Sequence, residues 1–401
     1  MNNFIFENNF KRVPFIAIGP AIIGAGGQVT GAAMMFQLLV DVLTEHGWVV
    51  KMYNIAEKQQ PSDARGIGGF SIQRMLDYII LIPMIWMGIF FSKRGVVYLI
   101  TAQSKMGFLR DLFIISAAYL RGSYIICHQF GGHYGRFYKN QSKLIRFLIR
   151  KVLKRSSRII VEGELAKGQL RFLSDYEERV CCVVNGLPER SLEVSKHPKL
   201  YNPESPFKMI YLSNMIKTKG YWDVLLALNI LKKRKKNVIC KFVGRFMSEA
   251  DSMHTLDSGQ EREHFFEFLK INNLLDYISY NEVLLGREKF EAFQDSHLFL
   301  LPSNYPFEGQ PVSVLEAMAH GLVSITTNYS MIPLMVEDNY TGFFVPYGDP
   351  EAIATKIEYL MDNHKEYERL SSNSIHRFVE KFSTDIYVDR LMSVISEVVE
   401  Q

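Results

Sequence analysis

Short runs rich in β-branched and aromatic residues alternate with helix-period patterns along almost the whole chain, and this constrains the fold more than any other feature. Strands separated by helical stretches must pair parallel, because the crossover is too long for a hairpin and the helices then cover both faces of the sheet. The first half offers candidate strands at Phe15–Ile18, Trp48–Tyr53, Val96–Thr101, Tyr124–Cys127, Arg158–Val161 and Cys181–Val184. The second offers Lys208–Leu212, Val238–Val243, Ile278–Tyr280, Leu298–Leu301 and Leu322–Thr326. Between the two sets, "LPERSLEVSKHPKLYNPESP" is rich in proline and polar residues and lacks periodicity, which marks a domain boundary. The expected class is therefore α/β with two doubly wound, Rossmann-like domains. They are placed at 1–195 and 196–376, and a C-terminal helix over 377–401 could pack back on the first. From Asp349 onward the chain reads as consecutive helices, the first signalled by an Asp349 N-cap followed by Pro350.

A chain of 401 residues fits two such domains, and its charge of +4 is too mild to name a partner until its distribution is read locally. Four cysteines without CxxC pairs or zinc-spaced histidines read as buried thiols in a reducing compartment. The N-terminal stretch lacks the order of a signal peptide, so a cytoplasmic location is expected. The most hydrophobic window, Tyr78–Phe91, is shorter than the ~20 residues of a bilayer span and contains Pro83, which favours a buried helix, with a membrane-facing surface helix as the alternative.

Four segments could carry chemistry. The cluster "IGPAIIGAGGQVTG" places glycines, among them Gly26 and Gly27, at a strand-to-helix turn, where backbone amides and the helix end can meet an anion. A tight turn with helix-packing glycines is the alternative reading. The dinucleotide fingerprint fails here, since Val29 holds the third glycine position and Asn54 stands where an acid would end the next strand. The second segment, "CHQFGGHYGRFYKN", follows a strand and presents His128 and His133. They can serve as hydrogen-bonding or acid/base groups, or be structural; no third ligand lies nearby, and no metal is expected. Third, residues 139–158 contain no acid and form a basic amphipathic helix. It suits either an anionic membrane surface or a core-facing helix with a solvated basic face, and nucleic acid is not an expected partner. In the fourth, "YLSNMIKTKGYWDV" sets Lys219 at a strand end leading into a helix, and "EGQPVSVLEAMAHG" sets Glu308, Gly309, Gln310 and Pro311 before a helix from about Val312 that carries Glu316.

Glu308 and Glu316, with seven residues between them and flanked by "LPSNYPF" and "EAMAHG", resemble the EX7E motif of the retaining GT-B glycosyltransferases of family 4. "LSNMIKTKG" resembles that family's post-linker strand and phosphate-binding lysine. "NVICKFVG", "HLFLLPS" and "TGFFVPYGDPEAIATKI" resemble its core strands and the stretch after its donor site. "VVNGLP" and "GAGG" resemble its pre-linker NG and its N-terminal glycine loop. The resemblance implies two domains facing a central cleft and a sugar transferred with retention from a nucleotide-sugar, UDP- or GDP-linked, to a glycan or lipid-linked acceptor of cell-surface polysaccharide. It also implies no metal and no resident cofactor, and a place in the cytoplasm or at the inner face of the cell membrane.

By the same resemblance Glu316 would hold the ribose hydroxyls, Glu308 the donor sugar, the amides of Gly309–Val312 the sugar or diphosphate, and Lys219 the diphosphate leaving group. Where the family often has an arginine shortly before the lysine, this chain has Asn214, which leaves Lys217 or Arg245 as the second phosphate cation. "HQFGGH" replaces the HxHGG of related polysaccharide transferases, so His128 and His133 both stay candidates. The competing reading is a non-catalytic GT-B subunit that scaffolds a glycan-assembly complex.

Overall fold

The computed structural model describes residues 13–21, 30–55, 72–187, 194–248 and 257–400. It divides into two compact units, one built from the residues before 190 together with those from Thr384 on, the other from those between. Each unit is organised around a six-stranded, wholly parallel sheet.

The first unit runs β1 (Phe15–Gly19), α1 (Gly31–Glu45), β2 (Val50–Asn54), α2 (Ile72–Phe91), β3 (Val96–Ile100), α3 (Lys105–Leu120), β4 (Tyr124–Gln129), α4 (Tyr134–Lys139), α5 (Lys143–Leu153), β5 (Arg158–Val161), α6 (Glu164–Lys167), α7 (Tyr176–Arg179) and β6 (Val180–Cys182). The sheet order is β2-β1-β3-β4-β5-β6. All five residues of β1 and of β3 are buried, because helices cover both faces of a parallel sheet and its strands read as continuous apolar runs. One face packs on α1, whose buried Phe36, Leu39 and Leu43 recur at helical spacing. Right-handed crossovers put α2, α3 and α5 on the other face.

The second unit runs β7 (Phe207–Leu212), α8 (Tyr221–Lys233), β8 (Val238–Val243), α9 (Ser258–Ile271), β9 (Ile278–Asn281), α10 (Gly286–Gln294), β10 (Leu298–Leu301), α11 (Val312–Ala319), β11 (Val323–Thr326), α12 (Ile332–Met335), β12 (Gly342–Phe344), α13 (Pro350–Asp362) and α14 (His364–Lys381). Its sheet order is β12-β11-β10-β7-β8-β9. All eleven expected strands are present, several displaced by a residue or two. β12 was not expected; it is three residues long and forms an edge, where Gly342 lies so close to β11 that a Cβ would stand 2.0 Å from the Ser324 carbonyl oxygen.

The chain returns to the first unit at Thr384, later than the expected 377. Arg377 is still bound into the second unit, its guanidinium donating to the carbonyls of Met335 at 2.6 Å and Leu334 at 3.0 Å. The last helix, α15 (Thr384–Glu400), then buries Tyr387, Leu391, Ile395 and Val398 beside α1 in the first unit's core, and Glu397 ion-pairs with Arg158 at the start of β5. The apolar window at Tyr78–Phe91 departs from its expectation as a buried helix. In α2, Ile85 and Ile89 are buried, while Ile79, Ile80, Met87 and Phe91 are exposed. No helix among the described residues is long and apolar enough to cross a membrane.

Candidate functional site

In the second unit the site begins where β7 ends. The chain makes a 3-10 turn over Lys217–Lys219 and enters α8 through Gly220, whose φ of +81° lies in the left-handed region. A Cβ there would also stand 2.3 Å from the Pro302 carbonyl oxygen, so the tight turn brings Lys219 against the strand end of β10 only because residue 220 is glycine. Asn304 N donates to the Thr218 carbonyl at 2.7 Å and fastens the two loops together.

Across that junction the Lys219 ammonium meets Glu308 Oε1 at 3.1 Å and lies 4.8 Å from the centre of the Tyr305 ring. The other carboxylate oxygen, Glu308 Oε2, accepts from Ser303 Oγ at 2.5 Å, and the Glu308 carbonyl accepts from Ser330 Oγ at 2.6 Å. Glu308 is buried, so its charge is compatible with the fold only because these partners replace water. The carboxylate also helps hold the nearby Tyr211 hydroxyl neutral, after burial as the larger cause.

Glu316 occupies a separate environment. It lies in the second turn of α11, and its Oε1 is 2.6 Å from the ammonium of Lys289, with both side chains almost wholly buried. Lys289 belongs to the inward face of α10 with Ala292 and Phe293. Pro311 is the N-cap of α11 and Val312 its first residue; Gln310 and Val312 are buried, while Gly309 is half-buried. The two glutamates are therefore not a pair, since each carboxylate is matched to a lysine of its own.

The other expected residues of this unit are less enclosed. Asn214 is exposed just past β7, and its carbonyl accepts from Tyr211 Oη at 3.3 Å. Arg245 lies beside the same strand end, where its carbonyl accepts from Met215 N at 2.8 Å, and its guanidinium pairs with Glu282 at 3.3 Å. Lys217 is exposed.

In the first unit, His128 is a strand residue of β4 with no exposed surface. Its Nδ1 bonds the Tyr98 hydroxyl, and its ring stacks on Phe130 with centroids 4.2 Å apart. Burial lowers its pKa to about 3, so the ring is neutral near neutral pH. His133 is half-buried and stands at the N-cap position of α4 without a side-chain capping bond.

Between the histidines the loop is held by side chains that sequence reasoning missed. Glu162 accepts from Gly131 N at 2.6 Å and from Asn185 Nδ2 at 2.7 Å. Gln169 accepts from Tyr134 N at 2.6 Å and donates to the Gly131 carbonyl at 3.1 Å. Asn185 is the asparagine of "VVNGLP", so this network gives that dipeptide a structural task. Lys289 was missed as well, although its place among the apolar positions of "GREKFEAF" was the available signal. Gly26 and Gly27 lie outside the described residues.

Residues 195–377 match the family model described as glycosyl transferases group 1. The capsular polysaccharide biosynthesis glycosyltransferase CapM of Staphylococcus aureus is 28% identical over 204 residues, covering 50% of this chain and 48% of that protein. The amylovoran biosynthesis glycosyltransferase AmsK of Erwinia amylovora is 24% identical over 186 residues, covering 43% and 42%. This chain spans about half the length of the curated relatives it matches. Among solved structures, sucrose-phosphate synthase from Thermosynechococcus elongatus superposes with a TM-score of 0.68 at 15% identity, over 97% of this chain and 100% of that one. HepE of Anabaena, in complex with UDP, superposes with a TM-score of 0.67 at 12% identity, over 96% and 100%. Two parallel-sheet α/β units and these likenesses make this a chain of GT-B glycosyltransferase fold, whose residues 195–377 match the glycosyl transferases group 1 family.

Proposed function

We propose that the chain is a retaining glycosyltransferase of family 4 that moves a sugar from a UDP- or GDP-linked donor to a glycan or lipid-linked acceptor in cell-surface polysaccharide synthesis. The observation that carries this reading is the Lys219–Glu308 pair at the junction of two strand-end loops, inside the region that matches the family model. In an open α/β sheet, ligands bind outside the carboxyl ends of the strands, and the pair stands at two such ends, after β7 and after β10. CapM and AmsK are named for polysaccharide biosynthesis, and HepE was solved with UDP, which supports the substrate classes.

The chemistry follows from the pairing. An ammonium has three N–H donors, and the contact with Glu308 uses one of them, so Lys219 can also meet phosphate oxygens. Charge that develops on the diphosphate as the glycosidic bond breaks is then met by a cation already in place. Glu308, anchored by Ser303 and Lys219, contacts the donor sugar; Glu316, oriented by Lys289, holds the ribose hydroxyls; and the backbone amides at the start of α11 meet the diphosphate. No carboxylate is assigned as nucleophile or general base. No resident metal or cofactor is assigned either, so transfer should survive EDTA.

The test is release of nucleoside diphosphate from UDP- and GDP-sugars in the presence of acceptor lipid, with the product anomer read by NMR. Lys219→Ala and Glu316→Ala should both abolish turnover, and unchanged turnover in both overturns the reading. A folded chain that no nucleotide stabilises would favour the scaffold subunit instead.

A further inference from the structure

Helices α2, α3 and α5 lie side by side on one face of the first sheet, with α3 in the middle. Arg121 at the end of α3 donates to the Ser92 carbonyl just past α2 at 2.9 Å, and Arg110 lies over the Tyr78 ring. On the other side Arg155, just past α5, lies 4.6 Å from the Tyr119 ring centre and donates to Ser116 Oγ at 3.3 Å. The outward face of this layer is apolar. Ile80 is 66% exposed, Phe91 88%, Leu120 71% and Leu144 67%, and more than half of the exposed large apolar side chains among the described residues stand on these three helices. A soluble surface seldom gathers so many in one place without a use for them.

The charges around the patch have one sign. Residues 72–158 contain fifteen lysines and arginines against two aspartates, in a chain whose net charge is only +4. Asp111 is buried against Arg110 at 2.6 Å and Asp77 is half-buried, so no exposed carboxylate stands on α2, α3, α4 or α5. Lys93, Arg94, Lys105, Lys143, Lys151 and Lys154 are exposed at the margins. A second copy of this surface would bring like charges together, whereas an anionic plane satisfies both its apolar centre and its basic margin.

We propose that the outward face of α2, α3 and α5 docks on an anionic lipid bilayer. The apolar side chains of α2 and α3 enter the boundary between headgroups and acyl chains, and the lysines of α5 meet lipid phosphates. This face thereby joins two segments that are separate in the sequence reading, residues 139–158 and the Tyr78–Phe91 window. Ile149, Val152 and Leu153 of α5 turn inward, so that helix supplies charge more than apolar area. Docking requires nothing of the sugar-transfer reading, and its test reads binding rather than turnover.

The full chain is sedimented with phosphatidylcholine vesicles prepared with and without phosphatidylglycerol, at low and high salt. Expected are strong recovery with the anionic vesicles, weak recovery with the neutral ones, and loss of the difference at high salt. Ile79→Glu combined with Ile80→Glu, both at exposed positions, should abolish recovery at an unchanged unfolding midpoint. Lys143→Gln combined with Lys151→Gln should weaken anionic binding on the order of thirtyfold and leave neutral binding alone. Equal recovery with and without vesicles overturns the proposal. So does undiminished binding by the α2 variant, or a concentration-dependent dimer that this variant dissociates, which would make the face a protein interface.

Discussion

Each unit holds a six-stranded parallel sheet, in different strand orders, and the two treat polar side chains near their strand ends differently. In the second unit two carboxylates are buried as ions, each against its own lysine: Glu308 with Lys219 and Glu316 with Lys289. In the first unit β4 carries a histidine kept neutral by burial, and the loop after it is held by a network in which Glu162 and Gln169 serve backbone groups. Buried ion pairs are an inefficient route to stability, because desolvating both partners offsets much of their attraction. In the second unit one such pair joins two strand-end loops, which points to ligand recognition; the first unit's buried pair, Arg110–Asp111, lies within α3, and its loop network points to holding a loop in shape.

The largest expected effect comes from breaking the most enclosed pair. Lys289→Met leaves Glu316 as an uncompensated buried charge and should destabilise the fold by about 3–5 kcal/mol, read as a lower urea midpoint. Adding Glu316→Leu should recover most of that loss and leave the protein unable to bind nucleotide. A loss below about 1 kcal/mol in the single variant would mean that the pair is not the ionic contact described.

Lys219→Gln should separate function from stability. Its ammonium is less enclosed than that of Lys289, and Ser303 still serves Glu308, so the unfolding midpoint should move less while turnover falls by about 10²–10³-fold. An equal fall in midpoint for the two lysine variants would mean that Lys219 supports the fold as much as the more enclosed Lys289 does.

The neutral histidine of the first unit can be read through pH. Its folded pKa of about 3 lies below the ordinary 6.5, so the stability from keeping it neutral is fully present above about pH 6.5 and is lost as pH falls towards 3. Within that window His128 adds a slope of about 1.4 kcal/mol per pH unit, and a His128→Asn variant should unfold with a shallower acid dependence. His297 and His320 in the second unit, each lowered to about 4 by burial, contribute in the same direction, so the comparison is made between variant and parent rather than on the parent alone. The smallest effect should follow Gln169→Ala, a loss of about 1 kcal/mol. It should raise KM for acceptor while leaving nucleotide affinity unchanged. A change in nucleotide affinity instead would contradict the division of tasks.

How far the sequence disclosed this molecule varied with the kind of signal. Eleven strands were legible as short apolar or β-branched runs between helical patterns, and β12 escaped because its three residues begin with a glycine and offer only two apolar side chains. The glutamates and Lys219 stood in stretches whose order carried the resemblance. Lys289, the partner of Glu316, did not, since an ion pair between distant residues leaves no local pattern; Ser303 stood in "LPSNYPF", but nothing there marked its bond to Glu308. Glu162 and Gln169 were hidden for the same reason, lying about thirty or more positions from the loop they support. For α2 the apolar composition was read as a buried helix, whereas the helix runs for 20 residues with one side exposed, because composition cannot say which side of a helix meets protein.

The most direct test of the claim that the second unit holds a nucleotide-sugar is a thermal-shift panel of UDP, GDP, ADP and their sugars on the parent chain and on Glu316→Gln. A nucleotide at a hundredfold excess over its Kd stabilises the folded state by about 2.7 kcal/mol. The expected result is a clear rise with UDP or GDP on the parent, enlarged by the matching sugar, and little rise on the variant. A panel in which no nucleotide raises the midpoint, or raises it equally in parent and variant, would contradict the account.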